Sequence, residues 1–196
     1  MTSPSIPPPK GATFVAPFFN SCDTILIMKL VILRGLPGCG KSTIAEELSN
    51  KLNSQVIYGD SFKREFMIAN SDFKNEEVYL YSYDKITEEI ERYFDQKEKL
   101  VVVDELFDNK EFVGRVKSFC KESNIEIFWF YIQRDFEKLL ETEHQRERKI
   151  KNTIEDFKSL QNSLDKIKNE EEVFVDNNND IKDSVEFILK NLENKL

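Results

Sequence analysis

"MKLVILRGLPGCGKST", residues 28 to 43, sets an apolar run directly ahead of a glycine-rich turn that ends in lysine and serine. The turn fits the spacing GxxxxGK[ST], with Gly35, Gly40, Lys41 and Ser42 at the fixed positions. Glycine carries no Cβ, so main-chain N–H groups can wrap an anion at close range and the chain can take positive φ angles. A helix beginning near Lys41 adds the positive end of its dipole beneath the anion. Lys41 then reaches the β and γ oxygens of ATP, while the Ser42 hydroxyl is placed to ligate Mg²⁺. The flanks agree: an apolar strand precedes the turn, and Ser42 to Leu52 places Ile44, Ala45, Leu48 and Leu52 on one helical face. The stretch is read as an ATP-binding loop made of Gly35, Pro37, Gly38, Cys39, Gly40, Lys41, Ser42 and Thr43. Cys39 fills a variable position and is expected there for its small size.

Four more β-rich runs follow: "SQVIYG" (54 to 59), "KLVVVDELF" (99 to 107), "IEIFWFYI" (125 to 132) and "EEVFVD" (171 to 176). The middle runs are continuously apolar rather than alternating, which suits a parallel sheet covered on both faces. Helical patterns separate them, ending with Ile181, Val185, Ile188, Leu189 and Leu192 on one face of the last. The expected fold is α/β: a three-layer P-loop NTPase fold with a five-stranded parallel sheet. Residues 61 to 98 and 134 to 170 exceed simple crossovers and are expected to form helical lid or substrate inserts. Aromatic residues in the first insert, with Val78, Tyr81, Ile86, Ile90 and Tyr93 on one side, are read chiefly as packing. "DNNND" near the end reads as a solvated turn.

Two acids fall just past strands, at the edge where open α/β sheets bind ligands. Asp104 closes "LVVVD" and is expected to hold the magnesium with Ser42, with Glu105 sharing that task or orienting a water. Asp60 follows the second run and opens a helix whose first turn holds Lys63 and Arg64. It reads as a base that orients an acceptor hydroxyl and takes its proton, or as a helix N-cap together with Ser61. The adjacent cations favour the base reading. "HQRERKIK", residues 144 to 151, brings Arg146 and Arg148 into an otherwise acidic chain. Guanidinium groups closing over a transferring phosphoryl group would make this a lid; a solvated helical face of Glu and Arg pairs is the alternative. His144, the one histidine, is expected to be exposed.

The chain has 196 residues, 40% of them hydrophobic, enough for one compact domain. Residues 1 to 27, proline-rich with Lys10 as their only basic residue, read as a flexible leader, and 28 to 196 as a single kinase domain. A net charge of -8 argues against binding nucleic acid along a broad basic groove but leaves a local patch for one end. Cys22, Cys39 and Cys120 show no metal or disulfide spacing, so a reducing, cytoplasmic setting is expected. No apolar stretch is long enough to span a bilayer.

With these pieces in order, Met28 to about Leu192 resembles the P-loop kinases grouped around polynucleotide 5′-hydroxyl kinase, zeta toxin and archaeal seryl-tRNA(Sec) kinase. Gly35 to Thr43 matches their "GxPGxGKST" loop. The resemblance implies that Asp60 is the general base and that Lys63, where the polynucleotide kinases have arginine, meets phosphate or acceptor, with Arg64 as its substitute. "QRERKIKNTIEDF" is similar to the seryl-tRNA kinase lid and implies Arg146 as the lid arginine. Glu141 and Thr142 stand where many relatives carry another arginine, which leaves Arg148 to compensate. The sequence thus points to an ATP- and Mg²⁺-dependent kinase acting on a hydroxyl of a nucleic-acid end, a tRNA-linked group or a small molecule. A nucleoside monophosphate kinase and a non-catalytic ATP-dependent switch are the competing readings.

Overall fold

The structure is a computed structural model that describes residues 27–147, 151–167 and 171–193. The leader reading of residues 1 to 27 falls, but for Ile27, outside the described residues, and so does Arg148. Five strands, β1 (Lys29–Arg34), β2 (Gln55–Tyr58), β3 (Leu100–Asp104), β4 (Glu126–Gln133) and β5 (Val173–Asp176), form one sheet in the order β2-β3-β1-β4-β5. Every pairing is parallel. The three-layer α/β reading holds.

Both sheet faces are covered, which explains the unbroken apolar runs. Along β1, Val31 and Leu33 join one core cluster, while Leu30 and Ile32 join the other. All four side chains are wholly buried. Each contributes roughly 1.5–3 kcal/mol through burial, so Ile32→Ala is expected to cost about 2–5 kcal/mol once the cavity is counted. The first face packs against α1 (Lys41–Leu52) and α7 (Ile181–Glu193), the second against α3 (Asn75–Asp95) and α4 (Lys110–Glu122). Helix α1 stops at Asn53, whose left-handed backbone (φ 50) returns its N–H to Ser49 O. Helix α4 starts where the Asn109 side chain accepts from Phe112 N at 2.9 Å.

The two long inserts are helical. Between β2 and β3 lie α2 (Gly59–Ala69) and α3; between β4 and β5 lie α5 (Phe136–Gln145) and α6 (Ile154–Asp165). Buried Arg34, the last residue of β1, anchors the second insert. It donates to Leu164 O at 2.9 Å and Ile167 O at 3.1 Å, and pairs with Glu172 at 3.0 Å. These bonds supply partners for carbonyls that the end of a helix leaves without one.

Four local expectations need correction. Leu52, the last residue of α1, is 37% exposed. On α3 the buried face is Val78, Ser82, Tyr83, Ile86 and Ile90, so Tyr81 lies beside it and packs on Phe66 at 5.1 Å. Asp60 caps nothing: the N-cap of α2 is Tyr58, and Asp60 sits one residue inside the helix. "DNNND" is not wholly solvated, since Asn177 is buried. No helix among the described residues is long and apolar enough to cross a membrane.

Candidate functional site

The parallel register aligns the carboxyl ends of three strands. Leu33 and Tyr58 both pair with Asp104, so the β1 turn, the start of α2 and the β3 carboxylate arrive at one edge. Gly40 is the N-cap of α1, with φ 100 and no side-chain cap. The first main-chain N–H groups of that helix therefore lack side-chain acceptors and face a dipole that favours an anion. Lys41 Nζ donates to Gly35 O at 2.9 Å and Leu36 O at 3.1 Å, holding the ammonium against the loop. Ser42 Oγ donates to Asp104 Oδ2 at 2.5 Å. A hydroxyl and a carboxylate side by side are the hard oxygen donors that suit Mg²⁺.

A cavity of about 420 Å³ opens over this floor. It is lined by Pro37, Gly38, Gly40, Lys41, Ser42 and Thr43 from the loop, by Asp60 and Lys63 from α2, by Asp104 from β3 and by Arg146 from the second insert. The sequence-expected residues thus converge from four separate segments. Gly35 contributes only its carbonyl. Cys39 is fully buried beneath the loop, where desolvation pushes its thiol up despite Lys41 nearby. Arg64 is exposed on α2 and does not line the cavity.

Asp60 presents its carboxylate to the cavity with the side chain 88% exposed. Desolvation pushes this carboxyl up, but Lys63 at 3.1 Å, helped by Lys41 and Arg146, outweighs it and holds the group below the ordinary carboxylate range. Lys63 is itself held by Glu105 at 2.7 Å and lies over the Tyr79 ring at 5.0 Å. Burial opposes the Lys63 charge, yet Glu105 and Asp60 together raise its pKa to about 12. Lys63 therefore serves first as the link between two carboxylates.

Arg146 follows the last residue of α5 and adopts extended backbone, which removes it from the solvated helical face that its spacing also allowed. Its guanidinium pairs at 3.5 Å with Glu143, a carboxylate only 1% exposed. Glu143 also accepts from Asn152 N at 2.9 Å, so one buried acid holds residues on both sides of the connection between α5 and α6.

Arg134, just past β4, was not anticipated. It donates to Gly38 O at 3.3 Å and Thr142 Oγ1 at 3.4 Å, and it lines the cavity. Its position, in the first residues beyond an apolar strand, is the signal that identified Asp60 and would have found it too. Tyr79, Leu106 and Thr142 also line the cavity. A second cavity of about 650 Å³ adjoins the first through Arg134 and runs between Leu36, Phe136, Gln161 and Asn178.

A sequence-family model described as chromatin associated protein KTI12 matches residues 28–173, well over half of the chain. The chain belongs to the KTI12 family. No curated protein is similar enough in sequence to stand beside this KTI12 member as a relative. Among solved structures, a sugar kinase from Janibacter sp. is 14% identical over 85% of this chain and 95% of its own, with a TM-score of 0.63. A deoxyadenosine kinase from M. mycoides is 15% identical over 85% and 100%, with a TM-score of 0.59. A gluconokinase from Sinorhizobium meliloti 1021 is 14% identical over 85% and 97%, with a TM-score of 0.57. At such identities these likenesses establish the fold, and this KTI12 chain has a kinase-like P-loop fold.

Proposed function

We propose that this chain is an ATP- and Mg²⁺-dependent phosphotransferase that passes the γ-phosphoryl group to a hydroxyl. The observation that carries the reading is the exposed Asp60 carboxylate, set in the same cavity as Lys41, Ser42 and Asp104. A nucleoside monophosphate kinase, whose acceptor is already an anion, has no need of a carboxylate there. The resemblance of the loop, Asp60 and Arg146 to the polynucleotide and seryl-tRNA kinases supports a hydroxyl acceptor.

In this reading the α1 N-terminus and Lys41 bind the triphosphate, and Ser42 with Asp104 would hold the magnesium. The metal, when bound, neutralises charge on the phosphate oxygens. Asp60 accepts the proton of the acceptor hydroxyl as its oxygen attacks the γ-phosphorus and the bond to the β–γ bridging oxygen breaks, releasing ADP. Arg146 and Arg134 offset charge on the equatorial oxygens. The acidic balance of the chain, net charge -8, suits a small molecule or a single nucleic-acid or tRNA end rather than a long nucleic-acid groove.

One observation favours a second reading, a nucleotide-dependent switch. Lys63 keeps Asp60 a weak base, and the family description, chromatin associated protein, names an association rather than a reaction. An ADP-forming assay against 5′-hydroxyl oligonucleotides, nucleosides, seryl-tRNA and sugar alcohols, run beside Lys41→Ala, decides between them. Acceptor-dependent ADP lost in Lys41→Ala supports transfer; tight ATP binding without turnover on any acceptor supports the switch.

A further inference from the structure

We propose that Asn177 is a positioning residue of the phosphate site, setting the direction of the Gly40 amide; this rests on the triphosphate reading of the loop but not on transfer. Asn177 follows β5, within the polar run that the sequence presents as solvated, yet it is 5% exposed. Its Nδ2 donates to Cys39 O at 2.7 Å, and its Oδ1 accepts from Ser184 Oγ at 2.8 Å. Its main-chain N donates to Gln133 O at 2.9 Å. The amide is thus oriented from three sides: by the end of β4, by α7 and by the loop it holds.

The consequence follows from peptide geometry. The Cys39–Gly40 bond is trans, as no cis peptide occurs among the described residues, so its C=O and N–H point in opposite directions. Drawing the Cys39 carbonyl towards Asn177 therefore turns the Gly40 N–H away from it, to the side on which Gly40 and Lys41 line the cavity. The contact also explains why position 40 is glycine. A Cβ there would lie 2.3 Å from Asn177 Nδ2, in addition to the left-handed φ of 100. Asn177 and Gly40 form one device: the side chain occupies the space a Cβ would need and uses it to aim an anion-binding amide.

The substitution Asn177→Asp keeps the shape and the acceptor for Ser184 but turns the donor facing Cys39 O into an acceptor. Calorimetric titration with inorganic tripolyphosphate and with Mg-ATP is expected to show about tenfold weaker binding or more, the size of one lost hydrogen bond plus a repulsive contact. Asn177→Ala, which adds no charge, is expected to lose less, in the same direction. Val113→Ala in the distant core is the control for stability: it should lower Tm and leave both affinities unchanged. Unchanged tripolyphosphate affinity in a folded Asn177 variant, or an equal loss in Val113→Ala, overturns the proposal. Wild-type protein that binds neither probe overturns both the proposal and the phosphate reading, whereas binding without transfer overturns only the kinase reading.

Discussion

Lys63 Nζ lies 2.7 Å from Glu105 Oε1, joining the second turn of α2 to the residue after β3, with the Glu105 side chain only 1% exposed. Removing one partner strands the other charge in the interior. Lys63→Met is expected to cost about 3–5 kcal/mol, and adding Glu105→Gln should recover much of it. The pH dependence has a definite sign. The folded pKa of Lys63 is raised from 10.5 to about 12, so its contribution is complete below 10.5 and is lost as pH rises through 12. Urea denaturation of wild type and double variant between neutral and alkaline pH should show their stability gap changing across that window. A single variant as stable as the double would refute the pairing.

Ser42 and Asp104, 2.5 Å apart, carry the metal assignment. If they hold Mg²⁺, Asp104→Asn should weaken Mg-ATP far more than metal-free ATP, so that added magnesium no longer strengthens binding. Titrations with and without EDTA measure this directly. Equal weakening of both forms would mean that the carboxylate only anchors the loop.

The fold was legible because each strand is a continuous apolar run, a pattern that survives only where both sheet faces are covered. The loop and the two edge acids were legible because strand ends and glycine spacing fix their places on the chain. Asn177 was not, since its role depends on β4 and β5 lying on one side of β1, an order that no local pattern encodes. Lys63 was found by its spacing from Asp60, but its attachment to Glu105 was hidden by a separation of 42 in sequence.

Gly59 offers a test of how closely the start of α2 packs against Glu105 and α3. A Cβ there would sit 1.9 Å from Glu105 Oε2 and 3.2 Å from Ile86 Cδ1. Neither neighbour yields readily, as Glu105 is tied to Lys63 and Ile86 is fully buried in the core. Gly59→Ala is therefore expected to cost about 1–3 kcal/mol by overpacking, read as a fall in Tm. It should also disturb the adjacent Asp60, so any transfer activity should fall more than ATP affinity. A variant with wild-type Tm would show that the start of α2 is spaced more loosely from Glu105 and Ile86 than this.

Asp60→Asn separates chemistry from binding. Asparagine preserves the shape and removes the proton acceptor, so transfer is expected to fall about 10²–10⁴-fold while Mg-ATP affinity is nearly unchanged. Because Lys63, Lys41 and Arg146 overcome desolvation and lower the folded pKa beneath 3.8, the carboxylate stays ionised above that value and protonates only as pH falls through the lowered one. Wild-type transfer should then show no acidic limb from Asp60 between about pH 5 and 8. Lys63→Met in the Glu105→Gln background removes the strongest of those charges and should move the limb upward. Equal loss of binding and transfer in Asp60→Asn, or a pH profile indifferent to Lys63, would show that Asp60 only braces α2.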